Sequence, residues 1–144
     1  MRSKASPGTR RTIAQEALLA RHVLVANGDA GTTKLCRDEL ERQGLTVDTV
    51  DNGVAALEMA RQRTPDVIFI DFQLRDASGL DVIAWLHTIP GLKSVSIIAL
   101  SAVDEDLPHL RSSGAQTFLT KPLSAVRIAE ALRASTEPSR LPCA

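Results

Sequence analysis

Short apolar runs alternate along the chain with segments whose apolar residues recur at helical spacing. The runs are rich in Val, Ile, Leu and Phe and have the length of strands, so they predict five strands. In chain order these are β1 to β5, at residues 22–26, 45–50, 67–71, 95–101 and 117–120. The Val-Ile-Phe-Ile run in β3 is apolar without a break, which is typical of a strand that is buried on both faces of a sheet.

Five helices are predicted between and after these strands. They are α1 to α5, at residues 32–43, 54–63, 80–88, 105–112 and 124–134. Gly44 suits the left-handed position past the end of α1, and Ser124 is a favoured residue at the start of α5. Strands that alternate with helices predict an α/β fold with a parallel sheet covered on both faces. Five such units fit the flavodoxin-like, doubly wound order β2-β1-β3-β4-β5.

The two ends of the chain differ in composition from this alternating part. Residues 1–21 carry five basic groups against one acid and predict a flexible leader, with a short helix from about residue 12 to its end. Residues 135–144 contain two prolines, and we expect no output domain after them. The predicted organisation is therefore a basic leader (1–21), one α/β domain (22–134) and a tail (135–144).

Charge and cysteine content exclude several classes of protein. Seventeen basic and seventeen acidic residues cancel, so no overall field selects nucleic acid or a membrane as a partner. No apolar run approaches the ~20 residues that span a bilayer, and Arg21 interrupts the apolar stretch of the leader, which disfavours a cleaved signal. We expect a cytoplasmic protein that binds neither DNA nor a membrane. Cys36 and Cys143 lack disulfide or metal spacing, which predicts a half-buried thiol and a tail thiol.

Polar residues follow the carboxyl ends of four predicted strands. Asn27, Gly28 and Asp29 come after β1, Asp71 and Ser101 end β3 and β4, and Lys121 follows β5. In a doubly wound sheet these ends share one edge, where ligands bind. A carboxylate, a hydroxyl and an ammonium group that meet there suit phosphoryl transfer to the carboxylate, with the other two groups binding the phosphoryl oxygens.

Three ordered motifs in the α/β domain resemble those of response-regulator receiver domains. The first is the run from Pro65 to Asp71 followed by Gly79, and the second is Ala-Leu-Ser-Ala at 99–102. The third is Gly-Ala-Gln-Thr-Phe-Leu-Thr-Lys-Pro-Leu at 114–123. The chain looks like a chemotaxis-regulator type of receiver without an attached output domain. The resemblance implies a signalling switch of two-component systems rather than an enzyme.

The resemblance also implies a role for each residue of the site. Asp71 would accept a phosphoryl group from a histidine kinase or a phosphotransfer protein, and Ser101 and Lys121 would contact that group. Phe118 would change rotamer with Ser101 and pass the signal to a downstream protein through the α4–β5–α5 face, where a homodimer is also expected. The family's usual geometry predicts a cis bond between Lys121 and Pro122.

The end of β1 departs from the family's pattern. Receivers usually end this strand with two adjacent acids that hold Mg²⁺ beside the phosphoacceptor, but these positions are Asn27 and Gly28. Mg²⁺ prefers octahedral oxygen ligands that include one or two carboxylates. Asp71, the main-chain carbonyl of Gln73 and Asp29 are the ligands that the sequence leaves, and Asp29 could instead cap α1.

Two functions from different classes follow from this mixture. The first is a receiver that is phosphorylated on Asp71, and intact Ser101 and Lys121 favour it. The second is a phosphorylation-independent pseudo-receiver that binds a protein partner through a fixed surface, and Asn27 and Gly28 favour it. A nucleotide-binding enzyme is disfavoured because no glycine-rich phosphate loop follows any strand.

Overall fold

The computed structural model describes residues 21–92, 95–101 and 117–136. Three predicted features lie outside these residues: the leader helix, α4 and the tail from residue 137 onward, which includes Cys143. The division of the chain into leader, domain and tail therefore stays a prediction. No helix in the described ranges is long and apolar enough to cross a membrane.

The described strands form one parallel sheet in the predicted order β2-β1-β3-β4-β5. Their bounds are His22–Ala26, Thr46–Val50, Val67–Asp71, Ser96–Ser101 and Thr117–Thr120. β1, β3 and β5 have the predicted bounds, whereas β2 and β4 each begin one residue later than predicted. All five residues of β3 are buried, as its unbroken apolar run predicts. The flavodoxin-like, doubly wound fold is confirmed.

In the described ranges four helices cover the sheet, and their ends differ from the predicted ends by one or two residues. They are α1 at Ala30–Arg42, α2 at Gly53–Gln62, α3 at Gly79–Leu86 and α5 at Ala125–Thr136. Capping side chains set three of the starts, because they satisfy backbone N–H groups that the first turn leaves unpaired. These side chains are Asp29 for α1, Asn52 for α2 and Ser78 for α3.

Three further helix ends follow from the identity of single residues. Gly44 has the predicted left-handed conformation after α1, with a φ of 93°. Ser124 caps α5 as predicted, since its Oγ accepts a hydrogen bond from the N–H of Arg127 at 3.2 Å. α3 ends two residues earlier than predicted. The chain turns there. The Thr88 Oγ1 donates a hydrogen bond to the carbonyl of Trp85 at 2.6 Å, and Pro90 follows two residues later.

The core has one layer on each face of the sheet. Alternate residues of β1, β3 and β4 point to opposite faces, as the two-residue period of a strand requires. One face packs against α1 and α5, and the other packs against α2 and α3. The residues buried deepest include Leu24, Leu40, Ile68, Phe69, Ile83, Ile98 and Leu100.

Trp85 lies outside this core. Its side chain is 44% exposed, whereas Val82, Ile83 and Leu86 on the same helix are fully buried. Those three residues occupy the face of α3 that meets the sheet, and Trp85 lies beside that face.

Cys36 is fully buried rather than half-buried, and burial raises the pKa of its thiol to about 12. In a Cys143→Ser variant at pH 8, we expect Cys36 to react with a thiol reagent at least about a hundredfold more slowly than in urea, because the thiolate is the reactive form. Reaction rates with a chromogenic disulfide measure this. Equal rates in buffer and urea would show that α1 opens readily from the sheet.

Gly79 begins α3 where the helix touches β3. A Cβ placed on Gly79 would collide with the Asp71 carbonyl oxygen and lie 2.8 Å from the Cα of Phe72. We therefore expect Gly79→Ala to lower the free energy of unfolding by about 1–3 kcal/mol, as measured by urea denaturation. Gly31→Ala is the matched control, because Gly31 lies in exposed helix with room for a methyl group. That change should be neutral or stabilising.

Candidate functional site

Strand register brings three of the predicted site residues to one edge of the sheet. Asp71 pairs with Leu100 across β3 and β4, and Ser101 pairs with Thr120 across β4 and β5. Lys121 comes directly after β5, and its N–H donates to the Ser101 carbonyl at 2.8 Å. The carboxylate, the hydroxyl and the ammonium group therefore lie on neighbouring strands at the carboxyl edge, as the order of the strands predicts.

Asp71 is held by a donor on each of its carboxylate oxygens. Lys121 Nζ donates to Oδ2 at 2.8 Å, and the N–H of Gln73 donates to Oδ1 at 3.1 Å. The Asp71 residue is only 7% exposed, so this ion pair is shielded from water and is stronger than an exposed one. The bond between Lys121 and Pro122 is cis, as the resemblance implies.

Ser101 and Phe118 lie one strand apart beside this ion pair. Ser101 is 1% exposed at the end of β4, and Phe118 in β5 is half-buried and pairs with Ala99. Their positions are compatible with the predicted coupling between the hydroxyl and the aromatic ring. The roles of both residues stay predictions.

Asn27 fills the first position of the altered acidic pair and is almost fully buried. Its Oδ1 accepts a hydrogen bond from the N–H of Asp29 at 2.9 Å, which fixes the orientation of the amide. Its Nδ2 is buried and has no hydrogen-bond partner in the described part of the chain. A buried donor without a partner is costly, so the site holds an amide N–H that can gain an acceptor.

Gly28 leaves space where the second acid of the family would project. A Cβ built on Gly28 would meet the carbonyl oxygen of Asp51 at 3.9 Å and Cγ of Arg75 at 4.0 Å, both ordinary contacts. The backbone there requires no left-handed conformation. The position would accept a side chain, and the chain simply supplies none.

Asp29 caps α1, which was one of the two roles open for it. Its Oδ2 accepts hydrogen bonds from the N–H of Thr32 at 3.2 Å and from the hydroxyl of the same residue. The hydroxyl contact of Thr32 is the main cause that lowers the pKa of the Asp29 carboxyl. Asp29 therefore stays ionised as a helix cap, and its role as a metal ligand stays a prediction.

The loop between β3 and α3 carries two charged residues that sequence reasoning missed. Arg75 Nη2 contacts Asp51 Oδ2 at 2.9 Å. Asp76 accepts hydrogen bonds from the N–H groups of Gly53 at 2.6 Å and Val54 at 3.1 Å, at the start of α2. These backbone bonds, led by that of Gly53, lower the pKa of Asp76. No local pattern could show this, because the partners lie more than twenty residues away in sequence.

A cleft of about 610 Å³ adjoins the altered pair. Asn27, Gly28, Lys34, Thr49 and Asp51 are among its lining residues, whereas Asp71 and Lys121 are not. The cleft opens between α1 and the end of β2, and the phosphoacceptor position is not part of its lining.

The fold and the set of residues at the carboxyl edge define a class of protein. The sequence model of the response regulator receiver domain matches residues 23–133, which is most of the chain. The chain therefore belongs to the response-regulator receiver domain family, whose members are signalling modules of two-component systems.

Particular relatives share this assignment. The polar-differentiation response regulator DivK of Brucella anthropi is 32% identical over 117 residues, which cover 80% of this chain and 95% of the relative. The chemotaxis response regulator CheY4 of Vibrio cholerae has the same fold, with a TM-score of 0.76 at 20% identity, covering 80% of this chain and 98% of that one. The receiver domain of a sensor histidine kinase of Pseudomonas aeruginosa has a TM-score of 0.73 at 22% identity, covers 79% of this chain and 95% of its own, and holds a magnesium ion in its active-site cleft.

Receiver domains generally bind Mg²⁺ in the active site, but the residues at the active site of this chain do not match the ligands that Mg²⁺ prefers. Among the described residues, Asp71 is the one carboxylate at the expected place, and it already pairs with Lys121. Gly28 offers no side-chain ligand, and the free end of Asn27 is a donor. In the described ranges no cluster of three or more His, Cys, Asp or Glu could hold a metal. Mg²⁺ usually keeps several water ligands and binds one or two carboxylates. Metal binding through Asp29, Asp71 and the carbonyl of Gln73 stays a prediction.

Proposed function

We propose that this receiver accepts a phosphoryl group on Asp71 from the phosphohistidine of a histidine kinase or a phosphotransfer protein. The observation that carries the proposal is the Asp71 carboxylate, held 2.8 Å from Lys121 Nζ at the carboxyl edge of the sheet. Burial and fixed donors orient the nucleophile, and orientation removes much of the entropic cost of a two-molecule reaction.

The reaction transfers a phosphoryl group from an imidazole nitrogen of the donor protein to a carboxylate oxygen of Asp71. A carboxylate oxygen of Asp71 attacks the phosphorus, the phosphorus–nitrogen bond of the donor breaks, and the imidazole leaves with the electron pair and takes up a proton. Lys121 donates to the phosphoryl oxygens, where negative charge develops, and the Ser101 hydroxyl is the second contact. We infer that the protein acts as a switch rather than as an enzyme.

The output of the switch is a shift between two surfaces. Phosphorylation would favour a state in which Ser101 and Phe118 move together, because a ligand shifts an equilibrium by its difference in affinity for the two states. The α4–β5–α5 face would then bind a downstream protein or a second copy of this chain. DNA binding and membrane binding form no part of this proposal, and cytoplasmic location stays a prediction.

The test is labelling with two small donors, acetyl phosphate and phosphoramidate, followed by intact-mass measurement with Mg²⁺ and with a chelator. Phosphoramidate has the phosphorus–nitrogen bond of the natural donor class. We expect an adduct of one phosphoryl group that hydroxylamine removes, as it removes acyl phosphates. No adduct from either donor in any condition would contradict the proposal and favour the pseudo-receiver that works through a fixed surface.

A further inference from the structure

The phosphorylated site would lack one positive charge. Before transfer, the Asp71 carboxylate and the Lys121 ammonium balance each other at 2.8 Å. The acyl phosphate on Asp71 would carry about two negative charges near pH 7, so Lys121 alone would leave one uncompensated. In a site that is 7% exposed at Asp71, an uncompensated charge is strongly unfavourable. Some other cation has to approach when the phosphoryl group arrives.

In the described part of the chain, Arg75 is a basic side chain placed to approach. It lies in the loop four residues after Asp71, and its Cγ is 4.0 Å from the position of a Cβ on Gly28. Gly28 follows β1, whose Ala26 pairs with Ile70 of β3, so the residues just beyond β1 lie beside Asp71. Neighbouring strands are only ~4.8 Å apart. The stem of Arg75 therefore lies beside Gly28, just past the end of the strand that neighbours the one carrying Asp71.

The present contact of Arg75 can be exchanged. Its guanidinium pairs with Asp51 at 2.9 Å, but the two side chains are 67% and 55% exposed. Exposed ion pairs contribute little because water screens both charges. A guanidinium can bind a phosphoryl group through two parallel hydrogen bonds, and at a buried site these are screened less than the exposed pair with Asp51. Exchange of Asp51 for a buried phosphoryl group is favourable on these grounds.

We propose that Arg75 supplies the second positive charge of the phosphorylated site. Its guanidinium leaves Asp51 and binds the phosphoryl group on Asp71 across the space beside Gly28. The proposal rests on the proposed function and specifies how this site works with its altered acidic pair. The unpartnered Nδ2 of Asn27 is a second new donor at the same place. An acid at either position would repel the phosphoryl group in the absence of a metal, whereas an amide and a glycine do not.

The experiment measures binding of beryllium fluoride, a non-covalent analogue of the phosphoryl group, by fluorine NMR in the presence of a magnesium chelator. We expect the wild-type chain to bind it without Mg²⁺ and Arg75→Ala to bind it about tenfold or more weakly. Arg75→Lys keeps the charge but not the paired hydrogen bonds, so its affinity should lie between the two. Arg61→Ala is the matched control, because Arg61 is an exposed arginine in the last turn of α2, and it should change nothing.

A variant with the opposite expected effect tests the exchange itself. Asp51→Asn removes the resting partner of Arg75 and should strengthen beryllium fluoride binding about two- to threefold, since exposed pairs are weak. The gain should vanish when Asp51→Asn is combined with Arg75→Ala. A gain that persists in the double variant would be a general charge effect and would contradict the exchange.

The outcomes separate this inference from the proposed function. If beryllium fluoride binds only in the presence of Mg²⁺ and Arg75→Ala does not change its affinity, the role of Arg75 is overturned. Phosphorylation of Asp71 is then still supported. Labelling by acetyl phosphate without beryllium fluoride binding in chelator has the same consequence. Absence of both labelling and binding in every condition overturns the proposed function and the role of Arg75 together.

Discussion

Asp71→Asn should abolish phosphoryl labelling completely. The amide keeps the shape of the carboxylate and can still accept the hydrogen bond from the N–H of Gln73. It has no negative oxygen to attack phosphorus, so no acyl phosphate can form. The fold should persist, because the core on both faces of the sheet is untouched. We expect the free energy of unfolding to fall by about 1–2 kcal/mol, since Lys121 loses a charged partner.

Intact mass after incubation with acetyl phosphate checks the loss of labelling, and urea denaturation checks the fold. Asp81→Asn is the matched control, because Asp81 lies in the first turn of α3, outside the site. It should be labelled as the wild-type chain is. If Asp71→Asn still gains a phosphoryl group that hydroxylamine removes, another carboxylate is the acceptor and the assignment of Asp71 is wrong.

The sheet could be predicted closely because its signals are local. The apolar runs of β1, β3 and β5 end at polar residues that follow directly in the chain, and the three strands have the predicted bounds. Helix starts were less exact because they depend on caps. Thr32 is the first residue of the predicted α1, but the side chain of Asp29 captures the N–H of Thr32 and so moves the start of the helix to Ala30.

The site could be predicted only as far as strand ends define it. Asp71, Ser101 and Lys121 meet at the carboxyl edge because parallel strands place their ends together. Arg75 and Asp76 could not be predicted, since they lie in a loop whose partners come from the segment after β2. A pattern along the chain gives no information on such contacts, which depend on how two loops fold over the sheet edge.

These loop contacts change the meaning of the missing acids. With Asn27 and Gly28 regarded as losses, the site appears damaged, because a metal would lack its carboxylates. The structure places the aliphatic stem of Arg75 beside Gly28 and a buried amide donor on Asn27. Both additions favour an anion over a cation. Together with Arg75, the two replacements therefore make the site less negative.

Gly28→Asp should restore metal binding and raise the affinity for Mg²⁺ at least about tenfold. A side chain fits at this position, with contacts of 3.9 and 4.0 Å for its Cβ, and a second carboxylate beside Asp71 supplies the ligand type that Mg²⁺ prefers. The same carboxylate repels Asp71 when no cation is bound. Unfolding should therefore be easier than in the wild-type chain without Mg²⁺, and Mg²⁺ should recover the loss, because a ligand of the native state stabilises it.

Calorimetric titration measures the affinity, and the Tm with and without Mg²⁺ measures the recovery. Gln62→Glu is the matched control: it adds one carboxylate at an exposed position at the end of α2, away from Asp29 and Asp71. Its Tm should not depend on Mg²⁺. If Gly28→Asp also shows no response to Mg²⁺, the side chain at residue 28 points away from Asp71. The space beside Arg75 is then no part of the phosphoacceptor site, and the charge argument for that arginine is lost with it.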